Sequence, residues 1–149
     1  MTLLWKNKKR LQGDEHAWIK ASIQTVLRKE GLKQPGELSI SLVTDDEMKR
    51  LNFEHRGVNR TTDVLSFPQF ESLEEAQRSP YLLLGDMVLN ITQMKRQAEE
   101  FGHSQEREIS YLSVHSLYHL LGFDHEDESS KRQMRAREEE ALREMGIFE

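Results

Sequence analysis

The run HSLYHLLGFDH, residues 115 to 125, decides how the rest of this chain reads. His115 and His119 stand four residues apart. On a helix their rings share one face, about one turn (~6 Å of rise) apart, so both can reach a single ion. Gly122 follows as a helix stop, because glycine accepts a left-handed turn. The chain can then reverse and bring in His125 as a third ligand. Three neutral imidazoles with an open fourth position are the arrangement of a catalytic zinc site. Such ligation suits one zinc per chain, although nickel, copper and iron are compatible with it.

The same run argues against a peptidase. In the zinc peptidases with helical ligands, a glutamate follows the first histidine and serves as general base. The longer pattern H-E-x-x-H-x-x-G-x-x-H aligns here at all three histidines and at Gly122, but position 116 is Ser. A serine hydroxyl does not replace a carboxylate as proton acceptor at neutral pH.

Working outward, the helix that carries the motif, about Ser104 to Leu121, is apolar nearly all round. Ile109, Leu112, Val114, Leu117, Leu120 and Leu121 mark it as a buried central helix. Histidines on a buried element need partners, which favours ligation. Upstream, Thr92 to Phe101 reads as a helix ended by Gly102, and YLLLGDMVLN (81–90) as a strand with Gly85 at a bulge or close approach. DVLSF reads as a short strand ended by Pro68, and residues 69–79 as an exposed polar connection. ELSISLV (37–43) alternates like a strand, and Thr44 with Glu47 is a capping-box signature for a short helix to about Phe53. Asp14 to Glu30 is a helix closed by Gly31. Downstream, Ser129 to Met145 is a heavily charged surface helix. The expected class is α+β: a small mixed sheet of about four strands packed with about five helices, the metal site on the buried central helix and the turn after it.

The chain has 149 residues, no cysteine and a formal charge of −5. One metallo-hydrolase domain over 1–149 is expected, without disulfides or thiolate metal sites. No apolar run approaches membrane-spanning length, so a soluble cytoplasmic protein is the default. The acidic average argues against wholesale coating of nucleic acid, yet Lys49, Arg50, Arg56 and Arg60 form a local basic patch, and Lys6, Lys8, Lys9 and Arg10 a second.

Arg56 is the leading candidate for a substrate anchor, since a guanidinium binds phosphate bidentately and stabilises charge that builds during phosphoryl transfer. Asp63 and Ser66 read most simply as turn and strand residues. Asp86, a charge inside an apolar strand, calls for a partner such as a ligand histidine or Arg56. Asp124, Glu126 and Asp127 are either acceptors for imidazole N–H groups or an exposed acidic loop. Glu108, two turns before His115, is a weaker candidate of the same kind.

Taken together, HSLYHLLGFDH, LNFEHRG with TTDVLSFP (51–68) and LLGDMVLN (83–90) resemble the YbeY-type bacterial endoribonucleases, over roughly residues 37 to 125. The resemblance implies a metal-dependent endoribonuclease directed at single-stranded RNA, acting in ribosomal RNA maturation and ribosome quality control, with the small subunit or its associated proteins as partners. It maps the metal ligands onto His115, His119 and His125, and a functional arginine onto Arg56, with His115 and Arg56 as the catalytic pair. Ser116 departs from the family, which typically has glycine there, and this bears on local helix packing. Residues 1–13 resemble the family only vaguely, so a first strand there is not assigned. No residue identifies itself as the general base. Two rivals stay open: a zinc hydrolase of another substrate such as a peptide, and a non-catalytic ribosome assembly factor with a structural metal.

Overall fold

The alternation in ELSISLV does form a strand: Leu38, Ile40 and Leu42 are fully buried, while Ser39 and Ser41 between them are only partly covered. The structure, a computed structural model, describes residues 1–124 and 126–147. In chain order the elements are β1 (Thr2–Lys6), a 3-10 turn (Lys8–Arg10), α1 (Glu15–Lys29), β2 (Gly36–Val43), α2 (Asp45–Arg56), β3 (Val64–Pro68), α3 (Leu73–Arg78), β4 (Leu82–Asn90), α4 (Ile91–Phe101), α5 (Gln105–Leu120) and α6 (Glu128–Glu144). The sheet runs β1-β2-β4-β3. β1, β2 and β4 are parallel and β3 is antiparallel to β4, so the class is α+β with a mixed sheet.

Helix α5 packs against α1, α4, α6, β3 and β4. Its apolar residues cause that placement: Leu112, Val114, Leu117 and Leu120 are each at most 1% exposed. Each such side chain contributes roughly 1.5–3 kcal/mol on burial. The principal core thus lies between the sheet and the α1–α5 layer. A smaller cluster of Val43, Met48, Leu65 and Val88 holds α2 on the other side of the sheet. The expected capping box is present, with the Thr44 backbone N–H donating to Glu47 Oε1 at 3.0 Å.

Four details differ from expectation. Residues 1–13 supply an edge strand, β1, registered along β2 from Thr2↔Glu37 to Lys6↔Ser41. The segment 69–79 is not all connection. Ser72 caps α3, accepting from the Glu75 N–H at 3.2 Å, and Ala76 is buried under it. A helix of six residues carries too little periodicity to stand out in sequence. Pro68 belongs to β3, paired with Gly85, which an edge strand tolerates because its missing N–H needs no ladder partner. Asp86 faces solvent on β4, so its charge stays hydrated and the partner expected for it is not required. Gly85 behaves as its sequence suggested: at φ +105° it lets Phe67 O come within 2.1 Å of where a Cβ would stand. No described helix is long and apolar enough to cross a membrane.

Candidate functional site

Gly122 builds the site by ending α5 in a tight reversal. Its N–H donates to His119 O at 3.0 Å, and the Phe123 N–H donates to Tyr118 O at 3.0 Å. The residue sits at φ +93°, and a Cβ there would meet the Glu71 and Ser72 backbone at 2.5 Å. Any side chain would therefore both strain the turn and push the β3–α3 connection away. The reversal swings the Phe123 carbonyl back over α5, where it lies 3.0 Å from His119 Nδ1. His115, one turn earlier, has Nδ1 at 2.5 Å from Glu138 Oε2 on α6.

These two contacts define the tautomers. Each ring is placed to donate from Nδ1, to a carbonyl in one case and a carboxylate in the other, which in the neutral ring leaves the lone pair at Nε2. The rings meet edge to face, centroids 4.7 Å apart, and Tyr111 stacks on His115 at 5.6 Å. A neutral imidazole oriented by a carboxylate is the donor that zinc and similar ions take. His115 and His119 therefore fit a divalent ion held through nitrogen. The third expected ligand, His125, lies outside the described residues. Among the described residues no cluster of three metal-ligating side chains occurs.

Both histidines open onto a cleft of about 990 Å³, whose walls include Arg56, Asp63, Ser66 and Phe67. Arg56 is the exposed last residue of α2 and makes no hydrogen bond or ion pair among the described residues. It reaches the cleft because the loop after it is pinned. Buried Asn90 donates to Asp45 Oδ1 (2.8 Å), Thr61 Oγ1 (2.9 Å) and Thr62 O (3.0 Å), and Asn52 donates to Arg60 O (2.9 Å). Asn90 also caps α4, accepting from the Gln93 N–H at 3.1 Å. Asp45 accepts a fork from Arg96 as well, at 2.9 and 3.1 Å. The Arg96 guanidinium, followed by Asn90, holds its carboxyl below the usual range.

Ser116 is not among the residues that line the cleft. It is fully buried and its hydroxyl lies 2.7 Å from that of Ser66 on β3. The hydroxyl fastens α5 to the sheet. It is not available as a base.

Glu108 does not assist His115. It accepts from Gln97 Nε2 at 2.9 Å and lies 3.7 Å from His103 Nδ1. Gln97 in turn reaches Asp63 Oδ2 at 3.4 Å. Asp124 lines the cleft, with its carboxylate accepting from the Glu126 N–H at 3.3 Å, and Asp127 caps α6 by accepting from the Ser130 N–H at 2.8 Å. The residue that sequence reasoning missed is Glu138, a buried acid in a helix that otherwise reads as solvated charge. Its signal was weak but present: Met134, Glu138 and Ala141 share one face of α6 at spacings of four and three.

Glu138→Ala is expected to weaken metal binding about 10–100-fold, with Glu138→Gln intermediate because an acceptor oxygen remains. Competition against a chromophoric chelator measures this directly. Unchanged affinity in the alanine variant would show that the carboxylate does not tune the ligand.

Comparison with known proteins bears on the family and the fold. The family model described as Endoribonuclease YbeY matches residues 4–146. A relative from Caldanaerobacter subterraneus subsp. tengcongensis, named Endoribonuclease YbeY, is 41% identical over 138 residues, covering 88% of this chain and 87% of its own. One of the same name from Caldicellulosiruptor bescii is 46% identical over 117 residues, covering 74% of each. A solution structure of a Thermotoga maritima protein superposes with a TM-score of 0.60 at 25% identity, covering 97% of this chain and 90% of that one.

Proposed function

The chain belongs to the YbeY endoribonuclease family, and from that premise we propose that it is a single-domain, metal-dependent endoribonuclease that cuts single-stranded RNA during ribosomal RNA maturation. The observation that carries the reading is the shared cleft. An arginine with no protein partner among the described residues opens onto the same hollow as two histidines whose Nδ1 atoms are already engaged. We assign zinc as the ion, one per chain, held by His115, His119 and His125. When bound it supplies Lewis acidity toward a phosphodiester or its nucleophile.

The chain's own groups do the rest. Arg56 holds the non-bridging oxygens of the scissile phosphate and offsets the charge that grows there. Glu138 and the Phe123 carbonyl keep the two imidazoles in the ligating tautomer and orientation. Flexible single strands suit a cleft of this size, because an A-form duplex keeps its bases stacked and its scissile bonds on a rigid surface. The reading places the work in the cytoplasm, at the small ribosomal subunit or with proteins associated with it. Peptide hydrolysis is disfavoured, since Ser116 is committed to Ser66 and supplies no base.

Offering one metal-replete preparation single-stranded RNA, duplex RNA, single-stranded DNA and casein at low salt tests the proposal. Metal-dependent cleavage of single-stranded RNA alone is expected, and it should weaken steeply as salt rises. Casein cleavage that disappears in His115→Ala, with RNA left intact, would overturn the reading in favour of a peptidase.

A further inference from the structure

A second hollow, of about 560 Å³, lies behind His115 between the end of α4, α5 and α6. Its volume is within the range of sites that hold a small ligand, roughly 300–1,000 Å³. It adjoins the cleft through His115: Tyr111, which stacks on that ring, and Glu138, which bonds to it, both line the second hollow.

The surface there is unusual in two respects. Phe101 is 60% exposed and Tyr111 37%, so two aromatic rings remain open to solvent at one hollow. Arg107, Arg135 and Arg143 also line it, and their guanidiniums make no hydrogen bond or ion pair among the described residues. Two of the three carboxylates present are already committed, Glu108 to Gln97 and Glu138 to His115. Both keep their charge, so three carboxylates line the hollow with three arginines, but the guanidiniums themselves stay unengaged among the described residues.

Open aromatic faces beside uncommitted guanidiniums are the chemistry that binds a single-stranded nucleotide. Any base stacks on an exposed ring, and an arginine fork matches a phosphate. We propose that this hollow is a nucleotide subsite for single-stranded RNA, in which Phe101 and Tyr111 stack a base flanking the scissile bond and the three arginines take its phosphate. The assignment rests on the ribonuclease reading above and extends it. The strand passes from the Arg56 cleft over His115 and Tyr111 into the space between α5 and α6. An acidic protein gains binding here by a local grip, where general attraction to a polyanion would fail.

Fluorescence anisotropy of holoenzyme, read on ice before cleavage proceeds, tests this with a labelled single-stranded RNA of about twelve nucleotides and with a dinucleotide. Phe101→Ala and Arg143→Ala, both at exposed positions, should each raise the Kd of the longer RNA about tenfold, the share of one stacked base or one phosphate contact. The dinucleotide, too short to span both hollows, should lose much less. Arg132→Ala, on α6 but outside the hollow, serves as the equal-charge control and should change the longer RNA's Kd less than about twofold. Longer-RNA affinity unchanged in both subsite variants would overturn the subsite while leaving the nuclease reading intact, and would leave the hollow to a protein partner. An equal loss in Arg132→Ala would reduce the effect to general charge and overturn it too. Wild-type holoenzyme that binds neither RNA would sink both the subsite and the reading on which it rests.

Discussion

His119→Ala is expected to lose most of the divalent metal proposed for the site, for which the wild-type protein should show about one ion per chain. Structural zinc sites with four protein ligands bind with roughly 10–16 kcal/mol, which puts the loss of one protein ligand on the order of 3 kcal/mol, about a hundredfold in affinity. Dialysis against a weak chelator followed by elemental analysis will expose a loss of that size. RNA cleavage should fall with the metal. The helix itself should persist, since α5 is held by Leu112, Leu117 and Leu120 in the core and not by the imidazole. Full metal content in the variant would remove His119 from the ligand set. His115→Ala is expected to behave alike, with the added consequence that buried Glu138 is left facing no imidazole.

Arg56→Ala should lower RNA cleavage by about 10²–10³-fold, the usual effect of deleting one donor aimed at charge that develops in the transition state. Stability should move by no more than about 0.5 kcal/mol, because the side chain is exposed and makes no ion pair or hydrogen bond among the described residues. What little stabilisation it gives comes from a cation at the C-terminus of α2, where helix carbonyls favour positive charge. Arg56→Lys should recover only part of the rate, since an ammonium keeps the charge but not the two-pronged geometry. Kinetics on a short RNA, paired with thermal melts and metal analysis, separate the possibilities. A large fall in melting temperature with normal specific activity would make Arg56 a structural residue.

Helix α5 shows how far local pattern reaches. The spacing His115-x-x-x-His119 followed by Gly122 depends only on helix pitch and on the conformational freedom of one residue, so the rings' common face and the turn were legible in the sequence. The strand β2 was legible too, because side chains that alternate in burial write a period of two, while β4 read as a strand from a short apolar run around Gly85. Arg56 stood out as a cation in a basic stretch next to a turn, and the cleft does include it. Asp86 misled, because its neighbours suggested a buried strand, and whether one face of that strand is covered depends on what packs over it.

What sequence by itself determined were the properties carried by neighbours along the chain: the class of elements, the histidine pair on one helix face, the helix stop and the missing peptidase base. Tertiary structure alone decided which distant groups orient the two imidazoles. Glu138 is 23 residues from His115, and Ser66 is 50 residues from Ser116. Asn90 reaches back 45 residues to Asp45 to fix the loop that presents Arg56. The first two pairings follow from how α5 packs against the sheet and α6, the third from where α2 meets the end of β4, and their energy appears only when burial removes water from both partners. A glutamate in a charged helix reads the same in sequence whether water or a histidine receives it, and only the packed helix separates the two.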